Sequence, residues 1–351
     1  MFRKKKQLIG LDIGSHTVKI VQLEQRKKGL ELVAFGVAPV APQAIVEGAI
    51  REPDSIARTI RQLATNLKIK EKFVATSISG YAVMIKKIEV PSTTEEELER
   101  NLYQELGQYI PYNIQEVRVD YQVLDVAPEK PKNVEVLLVA AKKEAVDEYV
   151  DLVSLAGFEA VVVDVDFFAL SNAYEATYGM SGNEPTALVD FGANKISIII
   201  VQQAIPVFTR DISLGGAQLS IEIQNKLGLS YDQAERVKLG ENLENFNTKE
   251  LEEIFSHTVK TWSAEVKRAL DFYLGTVREA RVKKMLLSGG SCRIPGLNKL
   301  LMKDTGLTVE IFNPLEMLDY ESEHFDPDYI SYIGPQLAIC LGLALRKADE
   351  R

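Results

Sequence analysis

The 351-residue chain is 46% hydrophobic and 26% charged, with a formal net charge of −9. That length supports two or three domains, and the acidic balance excludes a broad nucleic-acid-binding surface, which leaves a basic footprint. The two cysteines, Cys292 and Cys340, lie far apart, which excludes a disulfide framework and points to a reduced, cytoplasmic setting.

Arg3-Lys4-Lys5-Lys6 invites a signal-peptide reading, but Asp12 interrupts the apolar stretch and no small-residue cleavage site follows. The tip reads as a solvated tail. Strands are expected over 8–12, 17–23 and 31–35, then a helix over 54–67 with Ile56, Ile60, Leu63 and Leu67 on one stripe. Strands over 73–79 and 82–88 flank the turn at Gly80-Tyr81.

Pro91 opens a different unit. Thr94-Glu95-Glu96-Glu97 has capping-box spacing, Leu98, Leu102 and Leu106 follow at helical spacing, and Pro111 stops that helix. A strand over 116–126, a charged turn at Pro128–Pro131, a strand over 134–141, a helix over 145–155 and a strand over 160–165 complete an α/β insert placed at 89–161. Helix 169–178 returns to the first lobe, and 179–185 links it to a second.

The second lobe opens with strands over 187–191, 195–201 and 205–209. Residues 215–276 are mostly helical, with helices at 217–227, 231–239 and 249–274. A strand over 285–288 leads to Gly289-Gly290-Ser291, and Pro295 is suited to the first position of the next helix. A strand over 308–312 and a small-residue helix over 334–345 close the pattern. The run 337–345 is too short to span a bilayer.

The most telling feature is a duplication. Asp12-Ile13-Gly14-Ser15 and Asp190-Phe191-Gly192-Ala193 each close an apolar strand, turn tightly and enter a second strand. Glycine lets backbone N–H groups approach an anion, and successive N–H groups form a hollow for phosphate. The Asp at each strand end can hold hydrated Mg²⁺ against those phosphates. Two copies a domain apart suggest two related lobes gripping one nucleotide.

Other residues extend this reading. Lys19 and Ser15 can reach phosphate oxygens, with Lys195 and Ser197 in the corresponding second stretch. Lys19 is otherwise an edge-strand solubility residue. Gly289-Gly290 permits close approach to a purine, or is a plain strand-to-helix turn. Glu235 and Lys238, at i and i+3, suit ribose hydroxyls, or form a solvent ion pair. Asp166 can orient a water for attack on a terminal phosphate, with Asp164 as the alternative. His16, His257 and His324 are isolated, so no metal cluster of the familiar kind is indicated.

Together these residues resemble the actin-like ATPase superfamily, an α/β, ribonuclease H-like two-lobed fold. Asp12-Ile13-Gly14-Ser15 with Lys19 resembles its first phosphate motif, Asp190-Phe191-Gly192 its second, and Leu287-Ser288-Gly289-Gly290-Ser291 its adenosine motif. Gly215-Gly216 with Ala234-Glu235 and Lys238 is similar to the cell-division protein FtsA. The likeness is closer to the PilM family of type IV pilus assembly. It is carried by Leu11–Ser15 with Val18-Lys19, Tyr109-Ile110-Pro111-Tyr112 before Asp120–Leu124, and Asp164-Val165-Asp166 before Ala169-Leu170.

The resemblance implies subdomains 1A (1–88, 162–181 and 331–351), 1C (89–161, the FtsA-type insert), 2A (182–214 and 277–330) and 2B (215–276). It implies ATP with Mg²⁺ in the interlobe cleft, held by Asp12, Gly14, Ser15, His16, Thr17, Lys19, Asp190, Gly192, Ala193, Asn194, Lys195, Gly215, Gly216, Glu235, Lys238, Gly289, Gly290 and Ser291. Asp12 and Asp190 would act on the metal through water, with Asp166 the candidate catalytic residue. The implied partner is the cytoplasmic N-terminal segment of PilN, in a cleft between 1A and 1C. That places the protein in the cytoplasm, at the inner membrane through its partner, in twitching motility. Other pilus motor or assembly proteins and self-association are open.

Two departures weigh against rapid hydrolysis. Ala193-Asn194-Lys195 replaces the Gly-rich second turn of active relatives, and Asp166 stands where hydrolytic relatives have Glu or Gln. The alternatives are a small-molecule kinase on the same fold, for which 215–276 offers no polar constellation, and an FtsA-like tether. The tether needs a C-terminal amphipathic helix, whereas Arg346–Arg351 directly follows the last core helix.

Overall fold

The computed structural model describes residues 8–348 apart from 28, 93, 127–132, 180–183, 278–280 and 322. The basic N-terminal tip, the Pro128–Pro131 turn, most of the 179–185 linker and the last three residues lie outside the described residues.

Strands β1 (Ile9–Ile13), β2 (Thr17–Gln25) and β3 (Leu30–Pro39) form an antiparallel meander. A short hairpin, β4 (Ile45–Val46) and β5 (Ala49–Ile50), precedes helix α1 (Pro53–Asn66). Pro53 starts α1 where its missing N–H costs nothing, and Ile56, Ile60 and Leu63 bury its stripe. Strand β6 (Phe73–Ile78) returns parallel to β1.

The chain then leaves this sheet earlier than expected. β7 (Val83–Pro91) pairs with β9 (Asn133–Lys142), which pairs with β8 (Val117–Val126), and helix α2 (Glu95–Tyr109) covers them. Thr94 caps α2 by accepting the Glu97 N–H at 3.2 Å. Leu98, Leu102, Leu106 and Ile110 pack with Val117, Val136 and Leu138 in a core of their own. Helix α3 (Lys143–Leu155), expected in the insert, and β10 (Glu159–Val165), which straddles the insert's expected end at 161, both lie with the first sheet. β10 pairs with β6, and Val146, Tyr149, Leu152 and Val153 of α3 join the core over α1. Strand pairing thus draws the insert at 83–142, because hydrogen bonding and not sequence adjacency decides sheet membership.

Helix α4 (Asp166–Tyr178) begins at Asp166, earlier than the expected 169, and sets that carboxylate at a helix N-terminus. The second lobe repeats the first. β11 (Thr186–Phe191), β12 (Ile196–Gln202) and β13 (Ile205–Ile212) form a meander, followed by α5 (Gly216–Leu227), α6 (Tyr231–Lys238) and the long α7 (Thr248–Thr276). β14 (Lys284–Ser288), α8 (Leu297–Thr305) and β15 (Thr308–Ile311) complete its sheet. The strand orders are β10-β6-β1-β2-β3 and β15-β14-β11-β12-β13, one topology used twice.

Two further expectations change. Pro295 does not start α8, because Gly296 follows it with φ +82° and the helix begins only at Leu297. The closing segment is a helix α9 (Pro327–Ile333), a 3₁₀ turn at Gly334–Leu337 and a short α10 (Ala338–Ala344), since Pro335 has no N–H for a continuous α-helix. α4 and α10 lie between the two sheets, sharing a core with Ala75 and Val165 of the first and Leu188, Ile199 and Leu286 of the second.

That arrangement needs a very close helix approach. A Cβ on Gly342 would lie 1.7 Å from the Ala169 carbonyl oxygen, whereas one on Gly275 of α7 meets nothing within 4 Å. Gly342→Ala is therefore expected to lower stability by about 1–3 kcal/mol, and Gly275→Ala to raise it by up to about 1 kcal/mol. Thermal unfolding of the two variants checks both signs.

Candidate functional site

The two turns face each other across one cleft of about 780 Å³. In the first, the Gly14 N–H donates to the Thr17 carbonyl at 3.1 Å, and in the second Gly192 does the same to Lys195 at 2.9 Å. Register shows which positions correspond. Asp12 lies opposite Lys19, and Asp190 lies opposite Ser197. Lys195 therefore matches Thr17, and the second lobe has no lysine opposite its aspartate.

This difference sets the electrostatics. Asp12, only 8% exposed, is paired with Lys19 Nζ at 2.8 Å. β2 is an inner strand, so Lys19 is not an edge residue. Burial lowers the proton affinity of its amine, but the charge and hydrogen bond of Asp12 outweigh this and the net shift is upward. Asp190 accepts a hydrogen bond from Ser288 Oγ at 2.8 Å. Burial pushes its carboxyl up to about 6, helped by Asp12 and opposed by Ser288, Lys19 and Lys195.

Asp166 accepts from Ser77 Oγ at 2.7 Å and from Lys195 Nζ at 3.1 Å. Burial works to raise its carboxyl, but the Lys195 charge and the hydrogen bonds of Ser77, Ser79 and Lys195 hold it below the usual range. Asp164, the alternative, is buried 3.4 Å from Arg346 and does not line the cleft. Its side chain is not solvated.

At the other end of the cleft, Lys238 Nζ contacts both Glu235 oxygens at 2.7 and 2.8 Å. The Lys238 side chain is 5% exposed, so this is a buried pair and not a solvent one. Ser220 Oγ also donates to Glu235. His16 reaches over from the first lobe, with Nε2 3.7 Å from Glu235, and burial lowers its proton affinity despite that carboxylate. Gly289 has φ +84°, and a Cβ there would lie 2.5 Å from the Phe191 carbonyl, so only glycine lets this loop cross the second turn.

The structure brings Asp12, Gly14, Ser15, His16, Thr17, Lys19, Asp166, Asp190, Gly192, Ala193, Asn194, Lys195, Glu235, Lys238, Gly289, Gly290 and Ser291 around this one cleft. Gly215 and Gly216 lie behind its wall instead. They dock the start of α5 on the second turn, with the Gly216 N–H donating to the Gly192 carbonyl at 3.0 Å. Sequence reasoning missed Ser77, Tyr149, Asp211, Arg293 and Gln336, which lie in no recognisable motif and reach the site by tertiary packing. Ser288 lies within the 287–291 motif, but its bond to Asp190 is set by the pairing of β14 with β11.

A model of the family described as type IV pilus assembly protein PilM matches residues 10–348. The chain belongs to the PilM family. It is similar to a solved PilM-PilN type IV pilus biogenesis complex at 27% identity and a TM-score of 0.86, covering 99% of this chain and 100% of that one. Cell division protein FtsA of Bacillus subtilis (strain 168) is 22% identical over 374 residues, 93% of this chain and 82% of FtsA. MreB5 of Spiroplasma citri bound to ADP, 13% identical with a TM-score of 0.51 over 93% of this chain and 98% of its own, shares the fold. The architecture is thus actin-like. Membership of a pilus-assembly family over nearly the whole chain sets aside the kinase and cell-division alternatives.

The Asp190 carboxyl makes a testable contribution of its own. Its folded value of about 6 lies above the unfolded 3.8, so the folded state binds the extra proton. Ionisation then costs stability as pH rises from about 4 to about 6, on the order of 3 kcal/mol once complete. Asp190→Asn should raise the melting temperature of the nucleotide-free protein at pH 8 and lose that advantage near pH 4. An equal difference at both pH values rejects this account.

Proposed function

We propose that this chain is a nucleotide-binding scaffold of the type IV pilus machinery, holding ATP with Mg²⁺ between its lobes and docking the cytoplasmic N-terminal segment of PilN. The observation that carries the reading is the continuity of one cleft. It runs from the paired turns past Asp166 to Ile45, Tyr81, Met84, Ile85 and Tyr112, where the first lobe meets the insert. The whole-chain likeness to the PilM of a PilM-PilN complex supports the partner.

In this reading the phosphates lie between the two turns, within reach of Lys19 and Lys195. The ribose meets Glu235 and Lys238, and the base the Gly289-Gly290 loop. Among the described residues, no group of three or more His, Cys, Asp or Glu side chains can hold a metal. A cation here needs phosphate oxygens and water to complete its shell, with Asp12 and Asp190 behind them. That donor set suits Mg²⁺, which keeps several waters. Bound Mg²⁺ would offset the phosphate charge, and the chain's own residues position the nucleotide. In the family's subdomain scheme we assign 1C to 83–142.

Asp166 is a poor base, since its carboxylate is stabilised by Lys195, Ser77 and Ser79. It therefore accepts a proton from water reluctantly. The leucines of α2 fill the insert's own core, so the peptide contacts fall to the junction residues. Among the described residues no helix is long and apolar enough to cross a membrane, and in this reading the likeness to a PilM-PilN complex supports contact with the inner membrane through the partner.

Two measurements test this. Saturation with ATP and Mg²⁺ at about a hundred times the dissociation constant should stabilise the folded protein by about 2.7 kcal/mol, and Asp12→Ala should abolish the shift. Turnover should stay far below the ~10 s⁻¹ of a median enzyme. In a separate titration, a synthetic peptide from the start of the cognate PilN should bind the parent and Asp12→Ala alike, and fail with Met84→Trp, which fills the junction. Binding unaffected by Met84→Trp puts the partner elsewhere.

A further inference from the structure

Lys195 is placed unlike any residue of the first turn. The first lobe keeps its lysine opposite Asp12, within the same lobe. The second lobe carries its lysine on the turn itself, from which it reaches across the cleft. Its Nζ lies 3.1 Å from Asp166 at the start of α4 and 3.7 Å from Asp211 on β13. Asp211 is a shared acceptor. Ser197 Oγ donates to its Oδ1 at 2.7 Å, and the backbone N–H of Gly80 donates to its Oδ2 at 3.1 Å.

Gly80 opens the 3₁₀ turn at Gly80–Ala82, which leads straight into β7, the first strand of the insert. Two further contacts secure the same turn. Tyr81 Oη lies 3.3 Å from Ser213 Oγ of the second lobe, and Tyr112 Oη of the insert donates to the Tyr81 carbonyl at 3.3 Å. The ammonium that faces the phosphate site and the root of the insert therefore share one carboxylate, that of Asp211.

We propose that Lys195 is a cross-lobe strap, which in the nucleotide-free protein fastens the root of the insert through Asp166 and Asp211 and which a triphosphate loosens by drawing the ammonium to itself. The inference rests on the nucleotide reading above for its trigger, but not for the strap. Lysine is a mobile point charge with three donors on a flexible stem, free to change partners. At 27% exposed it is open to a ligand, and a phosphate tail carries more negative charge than either carboxylate. Once the ammonium moves, Asp166 and Asp211 face each other as like charges across the cleft, which favours separation of the lobes at that point. Lys195 acts here as a positioning residue.

Amide hydrogen exchange on the full chain tests it, read in peptides covering residues 77–86. Without nucleotide, Lys195→Gln should exchange at Gly80–Ala82 roughly tenfold faster than the parent, the scale of one lost charge-assisted hydrogen bond. Lys195→Arg, which keeps the cation, should match the parent. ATP with Mg²⁺ should accelerate these amides in the parent and add nothing in Lys195→Gln. A thermal shift on the same samples reports binding separately. A parent that binds no nucleotide defeats the trigger, and the strap is then decided by the nucleotide-free comparison alone. Parent-like exchange in nucleotide-free Lys195→Gln overturns the strap, as does acceleration spread equally over α7. An equal nucleotide response in Lys195→Gln overturns the trigger. Should Lys195→Gln not fold, Lys195→Met removes the same cation with a side chain of similar length and carries the same expectations.

Discussion

The contact of α10 with α4 and β1 is the constraint on which the rest of the molecule depends. Gly342 lies against the Ala169 carbonyl, and a Cβ on Gly10 would sit 2.1 Å from the Cys340 carbonyl. Small residues let two helices and a strand approach at backbone distance, and that thin layer carries apolar groups to both sheets at once. Each sheet ends its central strand in an acidic turn. Because one packed layer fixes both sheets, it also fixes the distance between Asp12 and Asp190. Interiors packed this closely transmit displacement instead of absorbing it.

The repetition of one topology has not produced electrostatic symmetry. Asp12 has its own lysine, while Asp190 has only Ser288 and more distant cations, and burial holds its carboxyl at about 6. A buried site that keeps an aspartate short of positive charge is poorly satisfied by itself and better satisfied by an added cation. Lys195, absent from the position opposite Asp190, serves Asp166 instead. The same pair joins residues of the two lobes and holds the Asp166 carboxyl below its usual range.

The insert joins the lobes by its root and keeps a core of its own. Since β7 follows Gly80–Ala82 without a linker, its orientation answers to the cleft wall. The cleft continues into the junction beside Tyr81, Met84 and Tyr112. A ligand at one end and a peptide at the other would therefore occupy one continuous cleft.

The sequence by itself determined the duplicated turns, their aspartates, the order of strands and helices and the family resemblance. All of these depend on local spacing, which hydrophobic period and glycine placement encode directly. It also identified fewer than half of the residues that line the cleft, chiefly those within a few residues of those turns. Only the tertiary structure decided that β7 leaves the first sheet, that α3 stays with it, and that Asp166 opens a helix in an ion pair with Lys195. It alone brought Asp211 to Gly80 and set Gly215 and Gly216 behind the wall. Strand partnership and cross-lobe charge pairing join residues far apart in the chain, and no local pattern carries the distance between them.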